Sequence, residues 1–170
     1  MRHFISIITA ISLLFPLYAS AQDPVIQYSD QDSAMNGAIK TAQETFGEFM
    51  VQYYKDADET GDFLQDFGVK VGLTTADGVG VEHIWVSPFI KTESGFFGLL
   101  SNEPVNLAGL GYGSEVAFTL EQISDWSYVR DGRAFGNFTT RVMLPDMAPE
   151  TLAAVSAYLA PAPIPEDWAQ

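Results

Sequence analysis

The chain contains no cysteine and only two histidines, His3 and His83, and its 8 basic residues face 22 acidic ones. Without cysteine there can be no disulfide, no thiol nucleophile, no Cys/His zinc cage and no lipoprotein anchor. Clustered Lys and Arg, the source of phosphate-neutralising affinity, are missing from a chain of formal charge -14 and pI near 4.2. Nucleic acid and anionic lipid are therefore poor partners. Long apolar runs are also missing: Phe4 to Tyr18 falls short of the roughly 20 residues that span a bilayer. Gly and Pro are too sparse for collagen or a low-complexity chain, and a hydrophobic content of 47% places the sequence among folded domains rather than disordered ones.

The N-terminus is the first positive feature. Arg2 and His3 form a short basic start, an apolar segment follows, and Ala19-Ser20-Ala21 supplies the small residues that precede a signal-peptidase cut. Residues 1-21 are thus expected to be a signal peptide, with Gln22 as the mature N-terminus and a periplasmic or secreted location. Cleavage there would leave 149 of the 170 residues and, with Arg2 gone, move the charge from -14 to -15. That length suits one domain with a single core. Residues 22-31 read as an extended lead-in, 32-146 as the domain, and 147-170 as a C-terminal helix with a Pro-rich tail.

From Asp32 the apolar positions Met35, Ala38, Ile39, Ala42, Phe46, Phe49, Met50 and Tyr53 follow a helical period, with Asp32 or Ser33 placed to cap the start. After an acidic stretch from Lys55 to Asp66, Phe67, Val69, Val71 and Leu73 alternate as a strand. Asp77-Gly78 signals a tight hairpin, Val81 to Ser87 a second strand, Phe96 to Leu100 a third and Glu115 to Leu120 a fourth. Trp126 to Leu144 reads as a last hairpin turning at Asp131-Gly132. Pro149 opens a short helix that stops before Pro161, and Pro161, Pro163 and Pro165 predict a stiff tail ending in Trp168. The expected class is α+β: an N-terminal amphipathic helix packed on a bent, mostly antiparallel sheet of five or six strands, with a short C-terminal helix.

Chemistry is limited by what is available. Once His3 is removed, His83 is the single histidine, so no two-histidine metal motif can form; no metal site and no cofactor is expected. No G-x-S-x-G elbow is present, and Gly109, Gly111 and Gly113 lack the setting of a dinucleotide loop. Asp56, Asp58, Thr60, Gly61 and Asp62 resemble the opening of a calcium loop, but its twelfth position is Phe67 instead of an acid, which favours a solvated acidic loop. The remaining candidates for a ligand or partner site sit on or beside the strands: Glu82, His83, Trp85, Asn102, Glu103, Asp125, Trp126, Arg133 and Arg141. Alternation groups Val81, His83 and Trp85 on one face, and Arg141 with Asn137, Thr139 and Met143. A sheet-locking ion pair of Arg141 or Arg133 with Asp125, Glu103 or Glu82 is the structural expectation.

Several short motifs occur in order: Met35-Asn36, Phe67 to Val71, Val81-Glu82-His83-Ile84-Trp85, Asn102-Glu103-Pro104, Ile123-Ser124-Asp125-Trp126 with Tyr128, and Gly132-Arg133 followed by Gly136, Thr139 and Arg141-Val142. From Ser33 to Met143 this string resembles the uncharacterised bacterial family known as domain of unknown function 2314. The resemblance implies a compact α+β domain and carries no assigned activity or catalytic residue. On it, the signal peptide, the acidic stretch at Asp56 to Asp62 and the tail after Leu144 read as additions to a family core. Three functions compete. An exported, non-catalytic binding module, such as an inhibitor or immunity-type protein for a basic partner, accords with the charge. A carboxylate-dependent hydrolase would use Glu82, His83, Glu103 and Asp125. The third is an envelope structural or housekeeping domain.

Overall fold

The computed structural model describes residues 32-60, 64 and 66-168. The expected signal peptide, the lead-in up to residue 31, and Gly61 and Asp62 of the acidic stretch lie outside the described residues. The architecture is α+β. A long helix α1 (Ser33–Thr60) precedes β1 (Phe67–Thr74), β2 (Val81–Thr92), β3 (Gly95–Leu100), β4 (Glu115–Phe118), β5 (Ile123–Arg130) and β6 (Arg133–Gly136). Two short helices follow, α2 (Phe138–Met143) and α3 (Pro149–Tyr158). The six strands form one open sheet in the order β4-β3-β2-β1-β5-β6, each paired antiparallel to its neighbour.

The capping expectation holds for α1: the Asp32 carboxylate accepts from the N–H groups of Ala34 and Met35, both at 2.9 Å. Two otherwise orphaned donors of the first turn are thereby satisfied. The predicted apolar stripe faces the sheet, with Ala42, Phe46, Phe49, Met50 and Tyr53 buried. Phe49 stacks on Trp126 at 5.1 Å and lies 5.5 Å from Phe67. Tyr53 donates its hydroxyl to the Phe89 carbonyl at 2.7 Å, and Trp126 donates its indole N–H to the Thr45 hydroxyl at 3.0 Å. Each fully buried aromatic contributes roughly 1.5–3 kcal/mol relative to an exposed one, so this helix–sheet interface can supply a core without disulfides. The helix also runs on through Asp56 and Asp58, which corrects the calcium-loop resemblance. The Asp56 carboxylate accepts from Gln52 one turn earlier at 2.6 Å.

Four further expectations need correction. The β1–β2 hairpin has a longer loop than Asp77-Gly78 implies: only Gly78 has positive φ, the Thr75 N–H closes on the Gly80 carbonyl at 2.9 Å, and the Asp77 side chain organises the loop by accepting from Thr75 Oγ1 at 2.6 Å. That bond and those from the Val79 and Gly80 N–H groups hold the Asp77 pKa below its ordinary value. Strand β2 does not stop at Ser87 but passes Pro88, which cannot donate to a ladder, by slipping register between Val86 and Phe89. The second arm of the Asp131-Gly132 hairpin is only four residues long, because Asn137 takes a left-handed conformation (φ 55°) and the chain enters α2. Period-two alternation therefore ends at Gly136, and Arg141 does not share a strand face with Asn137, Thr139 and Met143.

The fourth correction concerns the Pro-rich tail, which is docked along its length. Leu159 forms a parallel bridge to Ala134 on β6, and the Gly136 N–H donates to the Pro163 carbonyl at 2.6 Å. Arg130 grips Asp167 with two hydrogen bonds of 2.9 Å, and Trp168 stacks at 5.6 Å on both Trp126 and Tyr128. The edge strand is thus partly covered by the chain's own C-terminus.

Candidate functional site

The strand register decides which candidates meet. On β1, Lys70 lies opposite Trp85 of β2 on one side and Asp125 of β5 on the other, so Trp85, Lys70 and Asp125 form one row across the sheet. One step along, Gly68 pairs with Ser127 and has Ser87 as its other neighbour. These side chains project from the face opposite α1.

Asp125 is fully buried and holds the start of α2. Its carboxylate accepts from the N–H groups of Phe138 (3.1 Å) and Thr139 (2.8 Å), from the Thr139 hydroxyl (2.6 Å) and from the Trp126 N–H (2.8 Å). Burial pushes its pKa up, and the Lys70 charge and the Thr139 and Trp126 hydrogen bonds pull it partly back. Lys70 reaches Thr139 Oγ1 at 3.2 Å and sits 4.9 Å from the centre of the Trp85 ring. Asp125 is therefore a helix anchor.

The other carboxylates also accept from the main chain. Glu82 binds the N–H groups of Val105 (2.8 Å) and Asn106 (2.6 Å), and Glu103 binds that of Tyr112 (2.9 Å). Together they shape the loop between β3 and β4. His83 Nδ1 lies 2.8 Å from the Ser124 hydroxyl, which also reaches the Lys70 carbonyl at 3.3 Å. Ser124 is buried, and among the described residues no carboxylate bonds the second nitrogen of His83. Desolvation, then the nearby Lys70 charge, holds the His83 pKa below its ordinary value. The pair is a sheet contact with no aligned base–orienter relay of the kind nucleophilic catalysis requires.

The expected ion pairs of Arg133 and Arg141 are replaced by bonds to carbonyls. Arg133 donates to the Ala157 and Leu159 carbonyls, the latter at 3.4 Å; Arg141 donates to those of Gly136 and Ala160, both at 2.9 Å. Burial lowers the Arg141 pKa and the charge of Asp125 opposes that shift. The two salt bridges among the described residues are Lys40–Glu44 and Arg130–Asp167. A helix end exposes unpaired carbonyls, and an arginine satisfies them better than water once the segment is docked. Arg141→Ala is accordingly expected to cost about 1.5–3 kcal/mol, the usual worth of hydrogen bonds from a charged donor. The check is native-state hydrogen exchange, which should accelerate at Ala160 and Gly136 before it does in β1; uniform acceleration would argue against a tail-specific role.

An open groove of about 280 Å³ lies on the polar face. Gly68 forms its floor between Ser87 and Ser127; Trp85 and Asn102 stand on one side, Asn137, Thr140 and Tyr158 on the other, and Asp66 at the rim. Of the nine sequence candidates, Trp85 and Asn102 line it. Glu82, His83, Glu103, Asp125, Trp126, Arg133 and Arg141 do not. Ser87, Ser127 and Tyr158 were not foreseen, because they converge from β2, β5 and α3 through strand order alone. A weak signal did exist: Ser87 and Ser127 are small polar residues at outward positions of their strands. No group of three or more His, Asp or Glu among the described residues could hold a metal ion, and no described helix is long and apolar enough to cross a membrane.

One long helix on an open antiparallel sheet, with two short helices at its edge and an open groove behind, defines a small α+β sheet domain. The chain belongs to the family described as an uncharacterized protein conserved in bacteria (DUF2314), which it matches over residues 32–158. The match runs past the expected end of the family core at Leu144, since it takes in all of α3. The chain is 31% identical over 142 residues to the uncharacterized protein YegJ of Escherichia coli strain K12, covering 81% of this chain and 87% of that one. It is also 31% identical over 131 residues to a putative ankyrin repeat protein of Neisseria meningitidis serogroup B, covering 75% of this chain and 52% of the relative. The chain thus spans about half the length of that second protein. No solved structure matches the chain.

Proposed function

We propose that the chain is an exported, non-catalytic binding module, of the inhibitor or immunity type, for a basic partner. The observation that carries this reading is the fate of the carboxylates. Glu82 and Glu103, which a hydrolase would need converging on a cleft with Asp125, accept hydrogen bonds from the main chain of the β3–β4 loop, and Asp125 accepts from the start of α2. A general acid or base has to be free to exchange its proton with a substrate. The groove meanwhile has no Lys, Arg or His in its lining, on a chain of charge -14. Such a field accelerates encounter with a cationic protein and weakens with salt. Export is supported by the composition of residues 1-21.

Cell fractionation followed by N-terminal sequencing should place the protein outside the cytoplasm with Gln22 first; intact Met1 in the cytoplasmic fraction would remove export from the proposal. The purified protein, immobilised and exposed to periplasmic extract at low salt, should retain a basic protein as a saturable complex released by added salt. Recovery of no salt-sensitive partner, or turnover of the recovered protein, contradicts the binding reading.

A further inference from the structure

We propose that the C-terminal arm, residues 148-168, is a releasable strap that closes one wall of the groove and covers the β6 edge, latched by Trp168 and the Arg130–Asp167 pair.

The arm runs from one face of the sheet to the other. Helix α3 brings Val155 and Tyr158 to the groove, and Leu159 then bridges to Ala134 on β6. Past Pro163, whose carbonyl accepts from the Gly136 N–H, the chain turns around the edge to Trp126 and Tyr128. Those two rings pack against Phe49 and Phe67 on the α1 side. Release frees the α3 wall of the groove and bares the Ala134 carbonyl and the Gly136 N–H, the groups that a sheet edge offers to another strand.

What holds the arm is slight for its length. None of the ten residues of α3 is buried, so the helix carries no anchor of its own. Pro161, Pro163 and Pro165 have no N–H to donate, and two main-chain bonds, Ala160 to Ala134 and Gly136 to Pro163, join the strap to β6. Its buried anchors are Leu159, Ala160 and Pro165, with Arg133 and Arg141 clamping the carbonyls of the first two. The latch itself has two weak points. Asp167 is 58% exposed, and ion pairs in contact with water contribute little. Trp168 stacks on two rings, but its indole N–H is buried with no hydrogen-bond partner, a penalty that hydration in the released state removes. A segment with few buried apolar contacts and such an end opens locally, below the free energy of global unfolding.

Native-state hydrogen exchange of the full chain, followed by NMR, tests the strap. The amides of Gly136 and Ala160 bridge the arm to β6 and report its release directly. They should exchange at least about 100-fold faster than the slowest amides of β1 and with a weaker dependence on urea, as a local opening requires. The amides of α3 should exchange no more slowly than those two. Asp167→Asn weakens the exposed pair and should speed Gly136 and Ala160 about two- to fivefold. Trp168→Ala should speed them at least about tenfold. Gly113→Ala, beside β4 at the opposite end of the sheet, weakens the sheet without touching the strap. It should speed β1 about fivefold or more and leave Gly136 and Ala160 at their wild-type rates. Exchange of Gly136 and Ala160 at the rate and urea dependence of β1 would overturn the proposal. So would equal acceleration of all these amides by Gly113→Ala, or indifference of Gly136 and Ala160 to both latch variants.

Discussion

Asp125→Ala is expected to destabilise the domain by about 3–5 kcal/mol, the range seen when one partner of a buried charged network is removed. The carboxylate satisfies the N–H groups of Phe138 and Thr139 together with the Thr139 hydroxyl, and alanine would leave all three without that acceptor in a buried place. It would also leave Lys70 without the charge it faces. A domain of this size loses about 2–4 °C in melting temperature per kcal/mol, so a drop of about 10 °C is the readable outcome. Asp125→Asn keeps the shape but turns one acceptor into a donor aimed at other donors, and should lose about half as much.

The pH dependence of the same pair follows from linkage. Burial raises the folded pKa of Asp125 above the ordinary aspartate value of 3.8, so the folded state holds this proton more tightly than the unfolded chain does. The associated stability is complete below that ordinary value and is lost as pH rises through the folded pKa. The advantage of wild type over Asp125→Asn should therefore be largest in acid and shrink toward neutrality. Thermal melts of both proteins across that interval supply the check; an advantage that grows with pH would mean that Lys70 and the hydrogen bonds outweigh burial.

Gly136→Ala is expected to be comparably severe, at about 3–5 kcal/mol from two sources. The residue has φ of 69°, where a Cβ is disfavoured, and a Cβ there would collide with the Trp126 carbonyl oxygen and come within 2.5 Å of its indole ring. That carbonyl is not free to move, because it accepts from the Asn137 N–H at 2.8 Å as the chain turns into α2. Gly113→Ala separates the two sources. Its φ is 78° but nothing lies within 4 Å of the added Cβ, so it should cost only the left-handed penalty of about 1–2 kcal/mol. Equal melting temperatures for the two variants would show that the collision at Trp126 relaxes freely.

These two positions also explain where the sequence could be read and where it could not. Helix α1, the alternation of β1 and the turn at Asp131-Gly132 are legible because apolar periods and turn residues act locally, and Asp32 caps the helix it precedes. Helix α2 is not. Thr139, Thr140 and Val142 are β-branched and alternate like a strand, and what makes them helical is a carboxylate thirteen and fourteen residues away in sequence. The arginines misled for a related reason: their partners are carbonyls, which carry no residue identity for a pattern to detect. The groove lay further beyond reach. Gly68, Ser87 and Ser127 become one floor only through the order of β2, β1 and β5, and the side-chain chemistry of Trp85 and Asn102 says nothing of their place beside it.

The conspicuous acids and arginines build the fold, and the proposed binding role would then fall to the groove behind the sheet. Hydrogen–deuterium exchange of the full chain, alone and in complex with a basic protein recovered at low salt, tests this most directly. Protection should concentrate in residues 85-87, 101-102, 127-129 and 155-159, which line the groove. Protection centred instead on residues 46-54 and 119-121, at the opposite apolar cleft, with the groove unchanged, would contradict it.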